Sequence, residues 1–199
     1  MKKFKFLMKI ATVCLCCVLV LSLVGCGKSV KMTDKFDEAL NSVLLKMGED
    51  SSIKYELNNS EVGNCLVSIY AWGEDDEYRE DIGIKFNMSW DSGEEGVDDY
   101  SCSISFSTKA NGKGSIYMAF SDKNYGLTAD VLTLKDKPEF SGTFWRAGDN
   151  GELTNSGNAK PAEEYVSARL VSIKETLNSA LKEVMNDTNV TIDDLYVQE

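Results

Sequence analysis

The 199-residue chain contains no histidine, only two prolines, and only three arginines among its 21 basic residues. Without imidazole, Ser-His-Asp and Cys-His nucleophilic catalysis and the common histidine zinc sites are excluded together. A lysine can serve as base beside a serine, and Ser-x-x-Lys occurs at Ser51/Lys54 and again at Ser179/Lys182. Two unrelated occurrences show how cheaply the pattern arises, and neither has the Lys-Thr-Gly companion that such hydrolases carry. There is also no P-loop, no dinucleotide fingerprint, no internal repeat and no low-complexity tract.

Positive charge is scarce as well. Against 32 acidic side chains the net charge is −11, a field that repels phosphate backbones and argues against nucleic acid as a partner. The acids concentrate in "GEDDEYRED" (73–81) and "DSGEEGVDDY" (91–100). Carboxylates in turns can hold calcium, but neither run has the Asp-x-Asp-x-Asn-Gly spacing of a calcium loop. Successive hairpin turns lie at opposite ends of a sheet, so the two runs do not pool ligands or face each other as a glycosidase pair. The expectation is solvated acidic turns, no metal and no cofactor.

What the chain does have begins at its N-terminus. Lys2, Lys3, Lys5 and Lys9 precede a run of mostly apolar residues, 10–24, the charge-then-apolar order of an export signal. The run is short of the about 20 residues a spanning helix needs. It ends in Leu23-Val24-Gly25-Cys26, which resembles the lipobox of bacterial lipoproteins. The resemblance covers only about the first 26 residues. It implies that residues 1–25 are a signal peptide, that Cys26 becomes a lipidated N-terminus on the outer face of the cell membrane, and that Cys14, Cys16 and Cys17 leave with the signal. Two or three acyl chains, each methylene contributing roughly 0.8 kcal/mol, suffice for stable anchoring. The remaining chain carries 17 basic and 32 acidic residues, a net charge of −15. Residues 26–33 then read as a tether reaching roughly 25 Å, and residues 34–199 as one globular domain. Lys28, Lys31 and Lys35 either gain about 1 kcal/mol each from an anionic lipid surface or simply interrupt the tether.

Past the tether, Phe36, Leu40, Val43 and Met47 recur at helical spacing, with Thr33 or Asp34 as cap and Gly48 as stop. Near the other end Val166, Leu170, Ile173, Leu177, Leu181 and Val184 form one stripe, with Pro161 in the first turn. Between them the sequence reads in twos. Ile82, Ile84, Phe86, Met88 and Trp90 alternate with polar residues; Tyr100, Cys102, Ile104 and Phe106 alternate with serines; Ile116, Met118 and Phe120 follow an Asn111-Gly112 two-residue hairpin signal. Weaker strand signals fall at 65–72, 127–134 and 139–146. The expected fold is α+β: an antiparallel meander of five or six strands with an N-terminal and a C-terminal helix packed on one face. A strongly curved sheet or partial barrel is the alternative.

That architecture leaves a serine-rich sheet face uncovered. The strand at 65–72 is apolar on both sides; with Val67 and Ile69 on the core side, Tyr70 and Trp72 protrude on the serine face beside Tyr117. The competing reading folds the loop at 147–160 over them. Trp90 belongs to the core stripe, and the sequence does not place Trp145. Cys65 and Cys102 invite a disulfide in an exported domain, yet in a plain meander they stand two strand spacings apart, about 9.5 Å, beyond the about 7 Å that a bridge allows. Bridged and reduced forms both stay open.

Three functional readings follow. The first is a membrane-anchored, extracytoplasmic, non-catalytic binding or assembly module whose partner is an envelope protein, peptide or glycan. The second is a small carboxylate-based hydrolase. The third is a solute-binding subunit of a transporter, although such subunits are usually two-lobed and longer. The order lipobox, helix, meander, helix and acidic tail "TIDDLYVQE", with lysine far outnumbering arginine, is faintly similar to small uncharacterised lipoproteins of low-GC Gram-positive bacteria.

Overall fold

The structure is a computed structural model and describes residues 29–59, 63–73, 81–91, 100–122, 125–135, 138–147, 153–155 and 160–199. A short strand β1 (Val30–Met32) leads into helix α1 (Asp34–Met47). An antiparallel meander follows: β2 (Ile53–Asn59), β3 (Gly63–Trp72), β4 (Asp81–Asp91), β5 (Tyr100–Lys109), β6 (Gly114–Asp122), β7 (Tyr125–Thr133), β8 (Glu139–Ala147) and β9 (Leu153–Asn155). The long helix α2 (Lys160–Met185), a 3₁₀ turn (Ile192–Asp194) and strand β10 (Tyr196–Gln198) complete the chain. The α+β class stands, but among the described residues the strands number ten rather than five or six, in one sheet. The meander runs open from β2 to β9, so the sheet does not close into a complete barrel. Among the described residues no helix is long and apolar enough to cross a membrane.

Register divides the meander into two faces. One row across it reads Val67, Met88, Cys102, Phe120, Leu127 and Phe144, all buried. The next row, one residue along each strand, reads Ser68, Asn87, Ser103, Ala119, Thr128 and Thr143. Side chains alternate across a strand, so the first row joins the core and the second faces away from it.

Both helices serve the buried face. Helix α1 starts after Thr33 and stops at Gly48, whose φ of 55° favours glycine. It buries Phe36, Ala39, Leu40 and Val43. In α2 the whole expected stripe from Val166 to Val184 is buried. The helix runs roughly 39 Å at 1.5 Å per residue, long enough to touch β2 near one end and β7 and β8 near the other. The β5–β6 turn departs from the expected two-residue form. Lys109 and Lys113 close it through a backbone hydrogen bond, Gly112 N–H donates to the Lys109 carbonyl, and only Gly112, at φ 77°, is left-handed. Asn111 keeps a negative φ, so the result is a three-residue turn with its glycine in the bulge position.

The termini interlock instead of trailing. Residues 30–32, expected to belong to a tether, form β1, which pairs with β10 and meets β6 at Val30–Gly114. A Cβ at Gly114 would lie 2.7 Å from the Val30 carbonyl oxygen, so glycine is what lets the strand in. Ser29 and Glu199 exchange two backbone hydrogen bonds. The residues read as an acidic tail are likewise structural: Ile192, Leu195 and Tyr196 are buried. The Tyr196 hydroxyl accepts the Leu134 N–H at 2.8 Å, while Lys174 Nζ donates to the Leu134 carbonyl and to Asp193.

Candidate binding face

The outward rows of β3 to β8 make a surface dominated by small hydroxyl side chains. Of the three aromatic residues expected to protrude there, Tyr117 does, with 42% of its surface exposed. Tyr70 is half-buried, tilted against Trp72 at 6.0 Å between ring centroids, with Lys85 Nζ 5.8 Å from its own centroid. Trp72 departs from the expectation, being only 8% exposed. Its indole lies over Gly83, directly across the β3–β4 ladder, where a Cβ would come within 2.4 Å of the ring. Its Nε1 donates to Asp81 at 3.1 Å. The glycine makes room for the indole to lie down, which converts an expected contact residue into a structural one.

The residue that sequence reasoning missed is Trp145. It sits opposite Gly126 on the β7–β8 ladder, and a Cβ at 126 would approach its ring to 2.0 Å. The indole therefore reaches from β8 across β7 toward β6. Beside it opens a slot of about 360 Å³, lined by Trp145, Asn87, Ser101, Ser103, Ser121 and Thr128, with Ala119 among them. Met88, Cys102 and Phe120 also border it, but their side chains belong to the core row. Among the described residues no charged side chain lines the slot. Among the described residues no hydrogen bond engages the side chains of Asn87, Ser101, Ser103, Ser121 or Thr128, so these groups are free to meet a ligand. A sequence signal existed, tryptophan and glycine on adjacent strands, but it means something only once register is known.

On the core side, Cys65 and Cys102 are both free thiols, and the bridge does not form. Strand β4 runs between them, with Cys65 opposite Trp90 and Cys102 opposite Met88. Burial pushes the Cys65 thiol up to about 12 and Cys102 higher still, so neither is a nucleophile near neutral pH. Trp90 is buried as expected and stacks on Tyr100 at 4.4 Å. Among the described residues, Trp90 Nε1 and the Tyr100 hydroxyl are buried polar atoms without a hydrogen-bond partner. Arg169 covers the Tyr100 ring at 5.6 Å, and burial pushes that hydroxyl's pKa well up.

Of the Ser-x-x-Lys pairs, Ser179 spends its hydroxyl on the Glu175 carbonyl one turn back along α2, and Ser51 lies two residues before β2. The lipobox, both acidic runs except their ends, and most of the loop at 147–160 lie outside the described residues. Among the described residues no group of acidic or cysteine side chains could hold a metal. Comparison with protein-family models, curated proteins and solved structures finds no match.

Proposed function

We propose that the chain is a membrane-anchored, extracytoplasmic, non-catalytic binding module that uses the outer face of its sheet. The observation that carries this reading is the Trp145 slot: an indole held over glycine beside uncommitted hydroxyl and amide groups, on the face away from both helices. Small-ligand sites combine an apolar wall with a few convergent polar groups in this way. Among the described residues the slot's lining includes no carboxylate, the group that a carboxylate-based hydrolase would need there.

The anchor enters through Cys26. Because Ser29 is already bonded to Glu199, the tether from the acylated sulfur spans three residues, roughly 10 Å when extended. The domain is thereby held close to the bilayer. The end of the sheet nearest the anchor carries exposed Lys31, Lys109 and Lys113, cations that favour an anionic lipid surface in an otherwise acidic chain.

The test is site-specific photo-crosslinking of the full chain in its own envelope. A photoreactive residue at Tyr117 on the outer face gives adducts; the same residue at exposed Val171 on α2 does not. Adducts confined to position 171, or none at 117, would contradict the reading.

A further inference from the structure

We infer that the slot beside Trp145 takes an uncharged saccharide, a claim that rests on the outer face being the binding face. The polar groups that line the slot are three serine hydroxyls, one threonine hydroxyl and one carboxamide, each able both to donate and to accept. Vicinal sugar hydroxyls also donate and accept, and they suit such a set. A phosphate or carboxylate would find no cation among the described lining residues, and the chain's net charge of −11 opposes its approach. A cationic ligand would find no carboxylate among those same described residues.

A peptide strand is disfavoured for a different reason. The floor of the slot belongs to β4, β5, β6 and β7, and these strands already pair with neighbours on both sides. Their backbone groups are committed to the ladder, so a peptide cannot add itself there as a strand. What the floor offers is side chains alone, with an indole rising at one side to pack against the apolar C–H face of a sugar ring. The volume of about 360 Å³ lies at the small end of ligand sites. Tyr117 stands two residues along β6 from Ala119, roughly 7 Å away, exposed and on the same face. It is placed to meet the next ring of a chain, so an oligosaccharide binds more tightly than a single sugar.

The experiment follows the three indole N–H resonances, of Trp72, Trp90 and Trp145, in the full chain during titration with chitotetraose, maltotetraose and, as an anionic probe, tetragalacturonate. A neutral tetrasaccharide shifts the Trp145 signal and leaves Trp90 in place, and Trp145→Ala weakens the affinity by about tenfold or more. Ala119→Phe, which fills the slot floor from β6, also abolishes the shift, and unchanged Trp72 and Trp90 signals show that this variant is folded. If no neutral tetrasaccharide moves Trp145 at millimolar concentration while Tyr117 still crosslinks in the envelope, the saccharide claim fails and the binding face survives. A shift caused only by tetragalacturonate, or one that persists in Ala119→Phe, also overturns it. Silence in both the titration and the crosslinking removes the face itself.

Discussion

Trp145 on β8 lies across Gly126 on β7, so close that a side chain at 126 would overlap the indole. The relation recurs across the sheet, where Trp72 on β3 lies over Gly83 on β4. In each case an aromatic ring covers backbone that a missing side chain leaves open. The two pairs differ in what else stands near the glycine. At Gly126 the three nearest obstacles are all atoms of the Trp145 ring, whereas at Gly83 the Phe106 carbonyl oxygen is also within 2.6 Å.

That difference predicts unequal costs. Gly126→Ala moves a side chain and destabilises by about 1 kcal/mol, whereas Gly83→Ala must move backbone and costs about 2–3 kcal/mol. Urea unfolding measures both. Gly126→Ala also changes the Trp145 emission, since the ring can no longer lie flat. Equal costs, or an unchanged emission spectrum, would count against this geometry.

Two buried tyrosines should respond to the same substitution with opposite signs. Tyr196→Phe strands the Leu134 N–H that its hydroxyl accepts, a loss of about 1–3 kcal/mol for an unpaired buried donor. Tyr100→Phe removes a hydroxyl that has no partner among the described residues, so it is neutral or stabilising by up to about 1 kcal/mol. Thermal or denaturant unfolding of the two variants side by side decides the matter; a destabilised Tyr100→Phe would show that its hydroxyl is satisfied after all.

The thiols make stability depend on alkaline pH. In the unfolded chain a thiol ionises near its ordinary value of 9.0, while folded Cys65 keeps its proton to about 12. Between those values the folded state binds more protons, so stability falls as pH rises, by up to about 1.4 kcal/mol per pH unit for each thiol. Cys102, raised in the same direction, adds to the slope, and a Cys65→Ala, Cys102→Ala double variant flattens it between pH 9 and 10, above which the buried Tyr100 and Tyr196 hydroxyls, raised from 10.0, maintain a slope of their own. Native protein at pH 8 also resists a thiol reagent that labels both residues in denaturant. Fast labelling of the native state would show that the thiols are accessible.

The proposed anchor has its own chemical signature. Mass spectrometry of the N-terminal peptide from the producing cell finds it starting at Cys26 with acyl chains attached, and Cys26→Ser abolishes that mass and weakens membrane retention. An N-terminal peptide that retains residues 1–25 and an unmodified Cys26 would exclude the lipid anchor.

Much of the fold could be read because half-buried antiparallel strands leave a two-residue period, visible from Ile82 to Trp90 and from Tyr100 to Phe106. The α2 stripe was equally plain for a helix packed on one side. The same period runs through Ile53, Tyr55 and Leu57 in β2, but that edge strand only half-buries them, and the signal is short. Strands β1, β9 and β10 have three residues each, too few to show a period. At least β1 and β10 exist because of tertiary structure. After Tyr117–Asp130 the ladder between β6 and β7 ends, and β1 takes the place beside Gly114. The candidate site was legible only in outline. The serine rows identified the face, but whether Trp72 stands up or lies down, and where Trp145 points, depends on which residue faces each across the ladder. Both answers turn on a glycine whose partner only the register names.

The most direct measurement of the central claim is hydroxyl-radical footprinting of the full chain in the intact envelope and again after extraction into detergent. If the outer face is occupied in the cell, oxidation of Tyr117 and Trp145 rises on extraction, while that of exposed Leu45 and Val171 on the helix side stays constant. Equal oxidation of Tyr117 and Trp145 in both states, or protection falling on Leu45 and Val171 instead, would contradict the account.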